Sequence, residues 1–266
     1  RRVLFRSSLG QKYTEDKSRH KDNEQAIFWL KKAALQGHTF ASNALGWTLD
    51  RGEAPNYKEA VVWYQIAAES GMSYAQNNLG WMYRNGNGVA KDYALAFFWY
   101  KQAALQGHSD AQNNLADLYE DGKGVAQNKT LAAFWYLKSA QQGNRHAQFQ
   151  IAWDYNAGEG VDQDYKQAMY WYLKAAAQES VGAYVNIGYM YKHGQGVEKD
   201  YQAAFEWFTK AAECNDATAW YNLAIMYHYG EGRPVDLRQA LDLYRKVQSS
   251  GTRDVSQEIR ETEDLL

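Results

Sequence analysis

The sequence predicts an all-α chain: an α-solenoid of antiparallel helix pairs stacked into a right-handed superhelix. Three observations predict it. A block of 36 residues recurs along most of the 266. Inside each block the apolar side chains follow helical spacing. Proline falls to 2 while Ala, Gln, Leu and Lys are abundant, which suits a chain that is mostly helix.

The recurrence is clearest in a glycine pair: Gly86/Gly88, Gly122/Gly124, Gly158/Gly160, Gly194/Gly196 and Gly230/Gly232. Trp99, Trp135, Trp171 and Trp207 keep the same step, with Leu243 in the next place, and so do Tyr83, Tyr119, Tyr155, Tyr191 and Tyr227. A glycine pair closing a hydrophobic segment is also how a phosphate-cradling loop begins. Such a loop occurs once per nucleotide site, however, and no Gly-Lys-Ser/Thr follows any of these glycines. The pairs therefore read as punctuation of the chain.

The elements follow in order. Residues 1–7 match the translation of a widely used sequencing adapter and are set aside as an artefact. Residues 8–40 hold the second half of a unit, "KDNEQAIFWLKKAALQGH", so the array begins mid-repeat. Residues 41–254 form six units, of which the first, 41–74, is short and carries "RGEAPN" in place of the glycine pair. In the unit 75–110, Ala75, Leu79, Met82 and Tyr83 mark the buried face of a first helix. Gly86 supplies the left-handed residue that closes it, and Asp92 is placed to cap the second helix. That second helix is expected to bury Ala96, Trp99, Tyr100, Ala103 and Ala104 and to stop at Gly107. Small residues at Gly80, Ala116, Ala152, Gly188 and Ala224 let the helices approach, and Trp99 and its equivalents fill the space between layers. Asn78, Asn114, Gln150, Asn186 and Asn222 lie at the edge of the core and are expected to tie helix ends together. Residues 255–266 begin like another first helix and then turn charged, as a capping helix or a truncated repeat would.

The unit A-x-x-x-L-G-x-x-Y-x-x-G-x-G-V-x-x-D-x-x-x-A-x-x-W-x-x-x-A-A-x-x-G resembles the Sel-one-like repeat, a relative of the tetratricopeptide repeat. The resemblance covers about residues 21–254. It implies an adaptor-type, protein-binding solenoid of bacterial origin, in the periplasm or cytoplasm. Departures are local: Glu179 and Asn215 replace the helix-ending glycine, and Asn128 replaces the capping aspartate.

Composition narrows the chemistry. With 29 Lys+Arg against 31 Asp+Glu, the chain lacks the basic excess of a nucleic-acid surface. Its apolar runs are too short to insert in a membrane. The lone Cys214 forms no intrachain disulfide. No His-x-x-x-His or Cys-x-x-Cys spacing offers a metal site, so no metal, cofactor or catalytic residue is expected. Ser18-Arg19-His20-Lys21 matches the Ser-x-x-Lys of penicillin-recognising enzymes but has no Lys-Thr-Gly or Ser-Asp-Asn partner. An enzyme acting on cell-wall material or β-lactams is therefore the rival reading, and the spacer of a longer envelope or signalling protein is a third.

Function falls to the first helices, which line the concave surface in tetratricopeptide arrays. At about 100° per residue, positions 77, 81 and 84 lie opposite the buried stripe. The candidate partner-binding residues are accordingly Asn43, Trp47, Asn77, Trp81, Arg84, Asn113, Asp117, Glu120, Phe149, Trp153, Tyr189, Lys192, Tyr221 and His228. Amides flank the anchors in the first three units, and apolar or aromatic side chains do so in the last three. Asp117, Glu120 and Asp121 make an acidic spot flanked by Arg84 and Lys192. The alternative is that Trp81, Phe149 and their equivalents pack against the next repeat. The reading is a monomeric, non-catalytic scaffold gripping a peptide or partner protein.

Overall fold

The computed structural model describes residues 20–52 and 54–266. Among them lie fourteen helices and no strand. Ser18 and the adapter-like residues 1–7 fall outside the described residues. The chain divides into two compact units, one ending at Gln142 and the other beginning at Gly143.

Unit 1 holds α1 (His20–Ala34), α2 (Thr39–Arg51), α3 (Tyr57–Glu69), α4 (Ser73–Asn85), α5 (Tyr93–Leu105), α6 (Ser109–Asp121) and α7 (Lys129–Gln141). Unit 2 holds α8 (Arg145–Ala157), α9 (Tyr165–Ala176), α10 (Val181–His193), α11 (Tyr201–Glu213), α12 (Ala217–Tyr229), α13 (Leu237–Ser250) and α14 (Ser256–Asp264). Within each unit the main packing joins helices adjacent in the chain, as in a stack of hairpins.

Each hairpin is punctuated as its sequence dictates. Gly86 adopts φ 76° and donates its N–H to the Met82 carbonyl, closing α4. Gly88 also has positive φ, and a Cβ there would run into the Tyr57 carbonyl at the start of α3. The first glycine turns the chain; the second lets the turn lean on the preceding repeat. The Asp92 side chain then accepts from the Ala94 and Leu95 N–H groups at the start of α5. Asn128 caps α7 through the Leu131 N–H at 2.9 Å, so its departure from aspartate leaves the cap intact. Glu179 and Asn215 both hold φ 61°, the left-handed state that Gly37, Gly71, Gly107 and Gly143 hold at the same repeat position.

The packing differs from expectation in which ring is buried. Trp63 and Trp171 are buried, but Trp99, Trp135 and Trp207 are only half-buried. The ring one residue later is the one sealed off: Tyr64, Tyr100, Tyr136, Tyr172, Phe208 and Tyr244. Each rises into the small residue of the paired first helix. A Cβ on Gly80 would stand 2.8 Å from the Tyr100 ring, and one on Gly188 would stand 2.8 Å from Phe208. One step of 100° along the second helix turns the tryptophan away from that contact.

The tie between helix ends also sits elsewhere than expected. Gln76 and Gln112 are buried and donate to the carbonyls of Ala68 and Ala104, near the ends of α3 and α5. Their side-chain oxygens accept from Gln106 at 2.8 Å and Gln142 at 2.7 Å, and Gln178 bonds buried Gln148 likewise. These glutamines, two residues before Asn78 and its equivalents, join three helices apiece. The asparagines bond across or along the first helices instead: Asn78 to Asn43, Asn114 to Asn77, Asn186 to the Gly182 carbonyl and Asn222 to that of Thr218.

Candidate functional site

Four large rings at one repeat position stand exposed on the first helices. Trp47 is 41% and Trp81 38% exposed in unit 1, and Trp153 is 43% and Tyr189 45% exposed in unit 2. The core of the same helices is fully buried, with Leu45, Leu79, Ile151 and Ile187 at zero exposure. An exposed indole beside such a core is a surface with apolar area left to cover.

In unit 1 the ring row on α2 and α4 gives way to half-buried Asp117 on α6. Here the candidate residues meet. Arg84 donates to the Asp117 carboxylate at 3.0 Å and to Asn114 Oδ1 at 3.4 Å. Asn114 Nδ2 in turn donates to Asn77 Oδ1 at 3.0 Å. The Tyr136 hydroxyl, rising from α7, lies 2.8 Å from Asp117 Oδ1 and 2.6 Å from Glu120 Oε2. Burial pushes the Tyr136 phenol well above its ordinary value, and the two carboxylates push it further, so it remains a donor. Burial works against the Arg84 charge, but Asp117 more than offsets it and the guanidinium is held above its usual range. One repeat earlier, Tyr64 donates to Asp50 at 2.8 Å. Asp50 is raised by burial, with the Tyr64 bond and Arg51 opposing. Asn43 and Asn113 complete the half-buried amide row.

In unit 2 the same positions behave less uniformly. Phe149 packs on Tyr172, ring centroids 5.7 Å apart, and against Gly182 of α10, so it belongs to the packing between repeats. Tyr189 stacks on His193 at 3.9 Å. Lys192 forms an ion pair with Glu231 at 2.7 Å, and in unit 1 Asp121 pairs with Lys123 at 2.8 Å, so neither Lys192 nor Asp121 is without a partner. Tyr221 is covered by Arg253, 3.8 Å over its ring, and donates to Glu258 of α14 at 3.3 Å. His228 Nδ1 lies 3.1 Å from Thr262 Oγ1. Trp153 and Tyr189 are thus the exposed anchors of this unit, Tyr189 with one face on His193, while Tyr221 and His228 meet the terminal helix.

A second stripe escaped the sequence reading. Phe28, Val62, Phe98 and Phe134 in unit 1, and Tyr170 in unit 2, are about half exposed on the second helices. Their signal was present as an apolar residue just before Trp29, Trp63, Trp99, Trp135 and Trp171, broken by Glu206 before Trp207. Lys32 stands 4.2 Å over Phe28, and Lys138 and Lys174 lie over Phe134 and Tyr170. These lysine stems already shield part of the stripe. Among the described residues no group of His, Cys, Asp and Glu has metal-holding geometry, and no helix is long and apolar enough to cross a membrane.

Comparison with known proteins adds the lineage. The Sel1 repeat model matches seven segments: 17–38, 39–72, 73–108, 109–144, 145–180, 181–216 and 217–246. The chain is 34% identical to c5321, a protective antigen of uropathogenic Escherichia coli strains with an SLR fold, over 94% of this chain and 54% of that one, with a TM-score of 0.86. It therefore spans about half the length of that antigen. A Sel1 repeat protein from Oxalobacter formigenes is 33% identical, over 80% of this chain and 86% of that one, with a TM-score of 0.74.

Proposed function

The chain belongs to the Sel1 repeat family, whose members are generally protein-interaction scaffolds, and from that premise we propose that it is a non-catalytic adaptor. It holds an extended peptide, or a segment of a partner protein, on the first-helix face of a unit. The observation that carries this reading is the exposure of the anchors within each unit: Trp47 and Trp81 in one, Trp153 and Tyr189 in the other. Trp and Tyr dominate binding energy at protein interfaces because they give large contact area for few frozen torsions. The half-buried amides beside Trp47 and Trp81 suit the main chain of an extended segment. On the same reading 41–254 are six units, the first of them short, 8–40 supplies the half unit before them, and 255–266 is a capping helix or a truncated repeat.

Binding of the purified chain to a peptide library tests it. Trp81→Ala and Trp153→Ala, with unchanged circular dichroism, should each weaken binding at least about 30-fold, the cost of truncating a hot-spot residue. Equal binding by wild type and both variants rules the face out. Turnover of a chromogenic β-lactam that disappears in Ser18→Ala would replace the adaptor with the enzyme reading.

A further inference from the structure

The hydrogen bonds of unit 1 define what kind of segment its first-helix face takes. An arginine only donates, so the Arg84 bond fixes the Asn114 atom it meets as the oxygen. The other end of that amide is then the nitrogen, and it donates to Asn77 Oδ1. Asn77 is thereby oriented: its oxygen is used, and its NH₂ has no acceptor among the described residues. That half-buried donor sits one helical turn before exposed Trp81. A free amide donor beside an uncovered indole matches a backbone carbonyl flanked by an apolar side chain.

The neighbouring cluster has the opposite demand. Tyr136 carries one proton yet touches both Asp117 and Glu120, so one of those two carboxylate contacts lacks a hydrogen. The second oxygen of Glu120 takes no hydrogen bond among the described residues. Arg84 pairs with Asp117, while Glu120 has no ion pair among the described residues, which leaves the cluster one positive charge short. Below it, the buried Tyr100 hydroxyl lies toward Arg84 without a well-formed hydrogen bond, and burial holds its pKa up more than Arg84 lowers it. The polar network is unfinished at the point where the row of rings ends.

We propose that this face of unit 1 binds an extended peptide that sets an apolar side chain on Trp81 and a Lys or Arg side chain, three residues along, against the unused oxygen of Glu120 beside Asp117. The inference rests on the adaptor reading above and names its ligand chemistry. The spacing follows from geometry. Asp117 holds the place of Trp81 one repeat later; a gap of about 10 Å, the upper end for packed helices, is three steps of an extended chain at about 3.3 Å per residue. Asn77 contributes alike to every sequence, because it reads main chain. Glu120 and Asp117 select among sequences, because they read a side chain.

Selection of a displayed library of random peptides against the full chain tests this. Recovered sequences should carry Lys or Arg three residues from an apolar residue. Asn77→Ala should weaken all of them about tenfold, the worth of one hydrogen bond at an interface. Glu120→Lys should shift selection to Asp or Glu at that place. Glu120→Gln keeps an oxygen for Tyr136 and should abolish the preference without unfolding the chain. Peptides that depend on Trp81 but show no basic preference, or that are selected unchanged by Glu120→Lys, overturn the ligand chemistry and leave the adaptor reading standing. An empty selection, or binding indifferent to Trp47→Ala and Trp81→Ala alike, overturns both.

Discussion

At the residue before each first helix, the repeats solve one problem in different ways. His108, Asn144 and Asp216 each accept a hydrogen bond from the N–H three residues on; Met72 and Ser180 make no side-chain cap bond. His108 does so through Nδ1, at 3.3 Å from the Ala111 N–H, with the edge of Tyr74 against its ring and Nε2 buried without a partner. Burial lowers its pKa, and the attraction of Asp110 only partly opposes that. A protonated ring cannot accept at Nδ1, so the cap requires the neutral form. With the folded pKa below the unfolded one, the unfolded chain binds more protons at mildly acidic pH. This contribution is complete above the unfolded value near 6.5 and is lost as pH falls through the folded one. Replacing His108 with Asn, the residue at the equivalent position 144, should keep the cap, worth about 1 kcal/mol, and remove that acid sensitivity. Denaturant melts at pH 7.5 and 5.5 measure it; an equal loss of stability in wild type and His108→Asn would show that His108 is not the titrating group.

Elements were easier to read from sequence than the contacts between them. The glycine pairs and capping Asp or Asn residues mark helix ends because they act on their own backbone, within a few residues. Which ring fills a hairpin is not local. Trp99 and Tyr100 both fit an apolar stripe, and only the approach of Gly80 decides for Tyr100. Ala116, Ala152 and Ala224 occupy the Gly80 position elsewhere and are fully buried, so the position accepts one methyl in those hairpins. Buried glutamine is the least legible feature, since a polar residue on a helix reads as surface. Gln112 tests its value, because it accepts from Gln142 and donates to the Ala104 carbonyl. Gln112→Leu keeps the volume and strands the Gln142 amide, so thermal or chemical melts should register a loss of about 1–3 kcal/mol. A neutral result would mean that the amide chain fills space and ties nothing. The candidate site was legible to the same degree: helical angle found Trp47, Trp81, Trp153 and Tyr189 on the uncovered face. It left open whether Phe149 meets a partner or the next repeat, which the contact with Gly182 decides for the repeat, and it could not foresee that Lys192 is consumed by Glu231.

At the scale of the whole molecule, substantial packing runs between helices adjacent in the chain, so stability should be a sum of near-neighbour terms and damage should stay local. The C-terminal helix is the place to measure this. Val255 is fully buried in a cluster with Tyr244, Val247 and Ala224, and Ile259 packs against it. Gln248 accepts from the Val255 N–H at 2.8 Å, and Arg245 pairs with Glu263 at 2.8 Å on the exposed side. Removing residues 252–266 therefore strips an apolar cover from α13 and frees Tyr221 and His228 on α12 from their partners. Losing one fully and one partly buried aliphatic side chain costs about 2–4 kcal/mol; the exposed ion pair adds little. Amide hydrogen exchange should accelerate across α12 and α13 and remain unchanged across α2 to α6. Acceleration spread evenly over all fourteen helices would mean that the chain melts as one cooperative body. The nearest-neighbour account, and with it the expectation that Trp81 and Trp153 can be altered independently, would then fail.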